Sequence, residues 1–514
     1  MASLKRSSTW VPILALPILL GAQPPGLPAE RDSTALAAQD EKVDARLAAA
    51  LRAAGFTGKV EATLETRLDR PVDRKLADLG RRIYFDNING LHNDNSCAGC
   101  HSPAFGFGDS QSIAIGVQNN GIVGSHRRGP RNQRKAPIVI NSAFFPRLML
   151  NGRFFAPTAD PFDNSLGFHF PPPEGTTRFP PQDPDFPTLL STQGHIPSTE
   201  LVEMAGFSGT KGQIGPDFDQ FDDAVGDTVP EDADGDGFRN EEIRTAVLAR
   251  YNKVAEYRER FGAVFNYGVA LPEGGIEFAM VGKALAEFQT SLTFANAPID
   301  RFARGERSAL TAQQKRGALL FFGKARCVQC HAVAGTSNEM FSDFENHVIG
   351  VPQIAPFFGT GRGNVKFDGP KGNEDFGAEQ ISGDSRDRYA FRTSPLRNVA
   401  VQAAFMHNGA FARLEDAILH HLTPYLSALA YDPVRAGVAE DLTHRRGPTL
   451  PVLSRLDPVL RYPTALTQRE FLELVAFVRH GLLDPRARRE NLCRLVPPSV
   501  PSGRPMARFE GCQP

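Results

Sequence analysis

The sequence predicts a mainly α-helical chain built from two related domains with long irregular loops, and three features predict it. The first is periodicity. Apolar residues recur at three-and-four spacing over Lys75–Phe85, Gly275–Leu292, Thr311–Phe322, Leu414–His421 and Thr467–His480, the pattern of helices with one buried face. Thr311 and Thr467 are placed to cap two of them. The second is repetition. Gly80, Ile83, Tyr84 and Phe85 are echoed by Gly317, Leu320, Phe321 and Phe322, and Phe107, Asp109 and Ile115-Gly116-Val117 by Phe341, Asp343 and Ile349-Gly350-Val351. Further on, Ala143-Phe144, Asn151-Gly152 and Phe154 are echoed by Ala404-Phe405, Asn408-Gly409 and Phe411. The third is the scarcity of strand-like alternation beside stretches rich in Pro, Gly and Phe, Pro157–Pro187 and Pro356–Gly383, which read as packed loops. The expected domains are residues 71–300, with an insertion over about 154–275, and residues 301–485, flanked by a lead-in at 24–70 and a tail at 486–514.

With 514 residues, 41% of them hydrophobic, the chain has ample material for such domains. A formal net charge of -1 supplies no long-range pull toward nucleic acid or an anionic membrane. Two local runs, the basic one through His126, Arg127, Arg128, Arg131, Arg134 and Lys135 and the acidic one from Asp217 to Glu242, read first as solvated loop faces. Residues 1–23 have the form of a cleavable export signal, with Lys5 and Arg6 ahead of an apolar stretch from Trp10 to Leu20. The stretch is short and broken by Pro12 and Pro17, and nothing after it is long enough to span a membrane. The expected location is the periplasm.

Four of the six cysteines lie in two C-x-x-C-H strings, Cys97-Ala-Gly-Cys100-His101 and Cys327-Val-Gln-Cys330-His331. The spacing sets two thiols and an imidazole on one side of a helical turn, as covalent attachment of a c-type haem requires, with the His as proximal iron ligand. A zinc half-site accounts for one such string far better than for two in an exported chain. The two domains are therefore expected to be cytochrome c-like, each holding a covalent haem. Cys493 and Cys512 fall in the Pro- and Arg-rich tail, where an oxidising compartment favours a disulfide over two free thiols. Within the insertion, Asp232, Asp234 and Asp236 with Gly237 take positions 1, 3, 5 and 6 of a calcium loop, and Phe238 would offer its carbonyl at 7. The closing position is Ile243, one residue past Glu242, so the alternative of a solvated acidic turn stays open.

These strings, together with Arg392-Thr393-Ser394-Pro395-Leu396-Arg397-Asn398-Val399 and Phe405-Met406-His407-Asn408-Gly409, are similar to the bacterial di-haem cytochrome c peroxidase and MauG superfamily over nearly all of the mature chain. The resemblance implies that the haem on His101 is the peroxidatic one and that the haem on His331 relays electrons. It implies Glu203, which precedes Met204, as the acid–base residue, with Gln193 as its helper. It offers His126 as a displaceable ligand of the first iron, Met406 as a distal ligand of the second, and Asn132, Thr393 and Pro395 as holders of a calcium ion between the haems. Each has a plainer alternative: a helix carboxylate, a surface histidine, a core methionine. The residue between the haems, Trp in well-known members, is Leu150 here, and Trp10 is the only Trp of the sequence. The implied activity is reduction of hydrogen peroxide with electrons from a small cytochrome c or cupredoxin, in a protein that family precedent allows to be a homodimer. The alternatives are MauG-like or oxygenase-like oxidation of an organic or protein substrate, and a non-catalytic electron-transfer cytochrome.

Overall fold

A computed structural model describes residues 33–172, 174, 179–216, 218–356 and 367–512. The signal expected over 1–23 lies outside them. Contacts divide the chain at Lys42, and everything below concerns the second unit, Val43–Pro514.

Helices form where the periodicity places them: Arg74–Phe85, Phe278–Ser291, Ala312–Phe321, Leu414–Leu422 and Gln468–Ala476, the last continued by a wider turn over Phe477–Gly481. Thr311 and Thr467 are N-caps, each in a reciprocal capping box with the residue three further on, Gln314 and Glu470. Helix Arg74–Phe85 packs on Phe278–Ser291, and Ala312–Phe321 packs in the same way on Gln468–Ala476. Glycine makes both contacts possible: a Cβ on Gly80 would stand 1.8 Å from the carbonyl oxygen of Ala284, and one on Gly317 would stand 1.9 Å from that of Glu473. Only a residue without a side chain lets the backbones approach so closely.

After each C-x-x-C-H string the backbone makes matching left-handed turns, at Phe107 and Phe341, Asn141 and Asn398, Met149 and Met406, and Gly152 and Gly409. Here the expected pairing of Ala143-Phe144 with Ala404-Phe405 needs correction. Asn141 and Asn398 each lie eleven residues before the glycine of an Asn-Gly pair, and both donate through Nδ2 to the carbonyl of Phe294. That frame sets Met149 opposite Met406 and Leu150 opposite His407.

The region expected to be an insertion, about 154–275, holds two helices that apolar periodicity misses, Asn240–Lys253 and Ala255–Phe265. Their buried side mixes Ile243, Val247 and Phe261 with polar groups. Arg244 is held between Glu174 and Glu241, while Tyr251 and Tyr257 donate to Asn89 and Asp86. Strands are confined to three two-stranded pairs among the described residues. One of these ties the tail to the first half, with Ile122 beside Arg508 and Val123 beside Phe509 in parallel, and Cys493 and Cys512 are joined as a disulfide. No helix of the described residues is long and apolar enough to cross a membrane.

Candidate functional site

The first string forms a single helical turn, Cys97–Cys100, closed by the His101 N–H donating to the Cys97 carbonyl at 2.9 Å. The second is a tighter turn over Cys327–Gln329, with His331 N–H to Cys327 O also at 2.9 Å. In both, the imidazole is oriented through Nδ1. That of His101 meets the carbonyls of Phe107 at 3.1 Å and Pro137 at 3.0 Å, and that of His331 meets Phe341 O at 3.0 Å. A carbonyl accepts only, so Nδ1 carries the hydrogen and Nε2 keeps its lone pair. Burial pulls both imidazoles down to about 4, which keeps them in the neutral form that binds a metal.

Asp300 and Arg397 support the second turn from below. They form a fully buried ion pair at 2.7 and 2.8 Å, and the Arg397 Nε–H donates to the carbonyl of Glu339, two residues before Phe341. The signature stretch around Arg397 therefore reaches His331 through the loop that holds its ring. Breaking so buried a pair by removing one partner costs about 3–5 kcal/mol.

Each string opens onto a cavity, with about 1570 Å³ of unfilled space, part of it open to solvent, at the first and about 1430 Å³ at the second. Cys97, Cys100 and His101 line the first together with Gln193, Glu200, Glu203 and Asn132. Gln193 ends the helix Leu189–Gln193, which is capped by Thr188. Glu203 sits in a wide helical turn, Leu201–Ala205, whose backbone is clamped by Asn95, since Asn95 Nδ2 donates to Glu203 O at 2.7 Å. Asn95 is held in turn by Arg127, whose Nη2 donates to its Oδ1 at 2.9 Å. Burial and then the neighbouring Glu200 carboxylate raise Glu203 to about 7, against the opposing pull of Arg153 and of Asn132, which donates to Glu203 Oε1 at 3.2 Å.

The second cavity is lined by Cys327, Cys330, His331, Thr393, Met406, His407 and His421, and no carboxylate among the described residues faces it. Three residues line both cavities: Leu150, Lys135 and Arg392. The two cations are buried and form no ion pair among the described residues. Lys135 Nζ donates to Gln402 Oε1 at 2.7 Å, and Arg392 donates to the carbonyls of Met149 and Thr393. Burial lowers Lys135 to about 8 and Arg392 to about 10. Two desolvated cations facing a shared space suit the carboxylates of two porphyrins. Free thiols at Cys97, Cys100, Cys327 and Cys330, neutral imidazoles and these cations together fit covalent haem.

Other expected residues lie elsewhere. His126 is exposed, bonded through Nδ1 to Glu510 at 2.8 Å, and lines neither cavity. Its place among backbone amides and the tail makes it a surface residue. Only part of the basic run is the solvated face expected of it: Arg128 is exposed, but Arg127, Arg131 and Lys135 are buried, and Lys135 lines the first cavity. Asn132 is engaged with Glu203, whereas Thr393 bonds Glu345 through both its N–H and its hydroxyl and lines the second cavity, and Pro395 lines neither. Asp232, Asp234 and Asp236 do converge, with ligand atoms within 4.8 Å of one another. Their oxygens accept from Gly235, Gly237, Asp236 and Phe238 N–H groups, and Glu242 accepts from Ala233.

A family model described as di-haem cytochrome c peroxidase matches residues 74–308, which hold the first string and Glu203. Over those residues the chain is similar to that family, and the likeness identifies it as an oxidoreductase and implies two haem c groups. It is 26% identical over 379 residues to cytochrome-c peroxidase IdrP2 of Pseudomonas sp. (strain SCT), covering 71% of this chain and 78% of the relative. It is 27% identical over 368 residues to methylamine utilization protein MauG of Paracoccus denitrificans (strain Pd 1222), covering 68% and 75%. To cytochrome c551 peroxidase of Pseudomonas aeruginosa it is 23% identical over 354 residues, covering 68% and 72%. In fold it is similar to a solved MauG-like protein associated with microbial copper homeostasis, with a TM-score of 0.51, 21% identity and coverage of 82% of this chain and 94% of that one. The diheme peroxidase BthA from Burkholderia thailandensis E264 also scores 0.51, at 20% identity, with 85% and 91% covered.

Proposed function

We propose that this protein is an exported peroxidase that reduces hydrogen peroxide to two waters in the first cavity, with two electrons delivered through the second by a small redox protein. The two halves are read as copies of one haem-holding unit whose cavities have diverged. A single observation carries the reading: among the described residues, carboxylates face only the first cavity, and one of them, Glu203, is poised near neutrality.

When bound, the haem supplies the iron redox chemistry that cleaving a peroxide O–O bond requires. Glu203 accepts a proton from one peroxide oxygen and returns it to the other, so that the departing oxygen leaves as water. Asn132, donating to Glu203 Oε1, holds the carboxylate toward the cavity, and Gln193 supplies amide groups that orient the peroxide. Asn95 fixes the turn beneath. Leu150 between the cavities is an alkyl side chain with no redox chemistry of its own, and the sequence after Trp10 has no indole to replace it. This favours peroxide reduction over oxidation of a remote protein substrate.

The test is turnover of purified holoprotein with hydrogen peroxide and reduced small cytochromes or cupredoxins. Oxidation of donor at two equivalents per peroxide, abolished in Glu203→Gln with both haems still attached, is the expected result. Full turnover in that variant would defeat the proposal.

A further inference from the structure

The cofactor-bearing reading of the second cavity leaves the other side of its iron unassigned, and the inference drawn here rests on that reading. We propose that His421 is the second axial ligand, opposite His331, of the iron held at Cys327 and Cys330.

The geometry begins with the two rings. His331 and His421 both line the cavity, with ring centroids 6.1 Å apart and ring planes at 56°. An imidazole nitrogen binds a first-row metal at about 2 Å and lies about 1 Å from its own ring centre, so two rings holding one ion from opposite sides stand about 6 Å apart. Their tautomers agree. His421 Nδ1 donates to the carbonyl of Ala417 at 2.8 Å, as His331 Nδ1 does to Phe341, which leaves each ring with a lone pair on Nε2.

Of the neighbouring histidines, two are bonded elsewhere through both nitrogens, and His407, whose nitrogens have no hydrogen-bond partner among the described residues, has its ring held by stacking. His347 is bonded through both nitrogens, to Asp457 at 2.7 Å and Asp343 at 2.9 Å. His420 is bonded to Ser427 Oγ at 3.1 Å and Ile349 O at 2.9 Å. His407 lies flat on Phe391, with centroids 3.5 Å apart at 5°. Met406 lines the same cavity, but Met149 holds the same left-handed turn, three residues before its glycine, and lines the first cavity. A methionine common to both halves belongs to the shared loop and does not mark the relay site.

Position on the helix supports the same choice. Helix Leu189–Gln193 packs on Phe278–Ser291, as Leu414–Leu422 packs on Gln468–Ala476. The first presents Gln193 to its cavity and the second presents His421. An amide leaves the iron position free for peroxide, whereas an imidazole closes it. Two imidazoles also hold the potential below that of an imidazole–thioether pair.

The test uses the full-length holoprotein. Mass spectrometry and the pyridine haemochrome first count covalent haems, and fewer than two per chain would sink the underlying reading whatever the ligand. With two present, the near-infrared charge-transfer band of the low-spin ferric haem separates imidazole–imidazole from imidazole–thioether ligation. The imidazole pair is expected in the wild type and unchanged in Met406→Leu. His421→Met is expected to move the band to the thioether position and raise the potential of that haem alone. His421→Ala should open the iron to carbon monoxide, with closure restored by added imidazole. A thioether band in the wild type, its loss in Met406→Leu, or a second iron that binds carbon monoxide without mutation would each overturn the assignment. The wild-type and Met406→Leu spectra decide the matter even if the His421 variants do not fold.

Discussion

The two cavities are bounded by the same scaffold and differ in what that scaffold presents. Each has a C-x-x-C-H turn, a proximal imidazole held by a carbonyl of a left-handed Phe, a helix pair locked at a glycine and a loop ending in Asn-Gly. The first adds Glu203, Glu200 and Gln193, and the second adds His407 and His421 with no carboxylate among the described residues. The difference teaches that matching backbone features can place the same C-x-x-C-H turn beside a cavity, while a few side chains on the opposite wall set what that cavity offers chemically, which is where the proposed roles of the two cavities part.

The largest way to break this comparison is at Glu203. Glu203→Gln is expected to lower peroxide turnover by about 10²–10⁴-fold, leaving the second haem's spectrum intact. The pH profile sharpens it. Accepting the peroxide proton needs the carboxylate form, and Glu203 is raised to about 7, so the rate should fall as pH drops through about 7, a limb missing from the Gln variant.

Next come the matched glycines. A methyl group at Gly80 or Gly317 would meet a backbone carbonyl, so Gly80→Ala and Gly317→Ala should each destabilise by about 1–3 kcal/mol or more. Thermal melts of holoprotein should show similar losses, and a large disparity would say that the halves do not share one packing logic.

Lys135 faces both cavities, so Lys135→Gln should lower both reduction potentials, since a nearby positive charge favours the electron-rich state. Spectroelectrochemical titration checks this, and a shift of only one haem would contradict the shared position. The smallest effect is predicted for His126→Ala. The side chain is exposed, bonded to Glu510 of the tail and to Ser125, and lines neither cavity, so the oxidised spectrum of the first haem should not change.

The proposed haem attachment points were legible because their chemistry is local: two thiols and an imidazole within five residues suggest themselves without a fold. The helices were legible for a similar reason, since Thr311 and Thr467 cap them and their apolar spacing is regular. Glu203 and Gln193 were reached only by resemblance, and their meeting in one cavity depends on Asn95 and Arg127 holding a distant turn in place. The helices Asn240–Lys253 and Ala255–Phe265 escaped notice because they bury Arg244 and Arg250 beside Ile243 and Val247, which blurs the apolar spacing.

The sequence by itself determined the two C-x-x-C-H strings and the main helices, because those features depend on residues near one another along the chain. Only the tertiary structure decided which side chains face each cavity. Lys135 reads as one charge in a basic run and His421 as the end of a helix, and nothing in either neighbourhood says that folding sets one between two cavities and the other 6.1 Å from His331. Contacts between residues far apart in sequence are made by packing, and packing leaves no local mark.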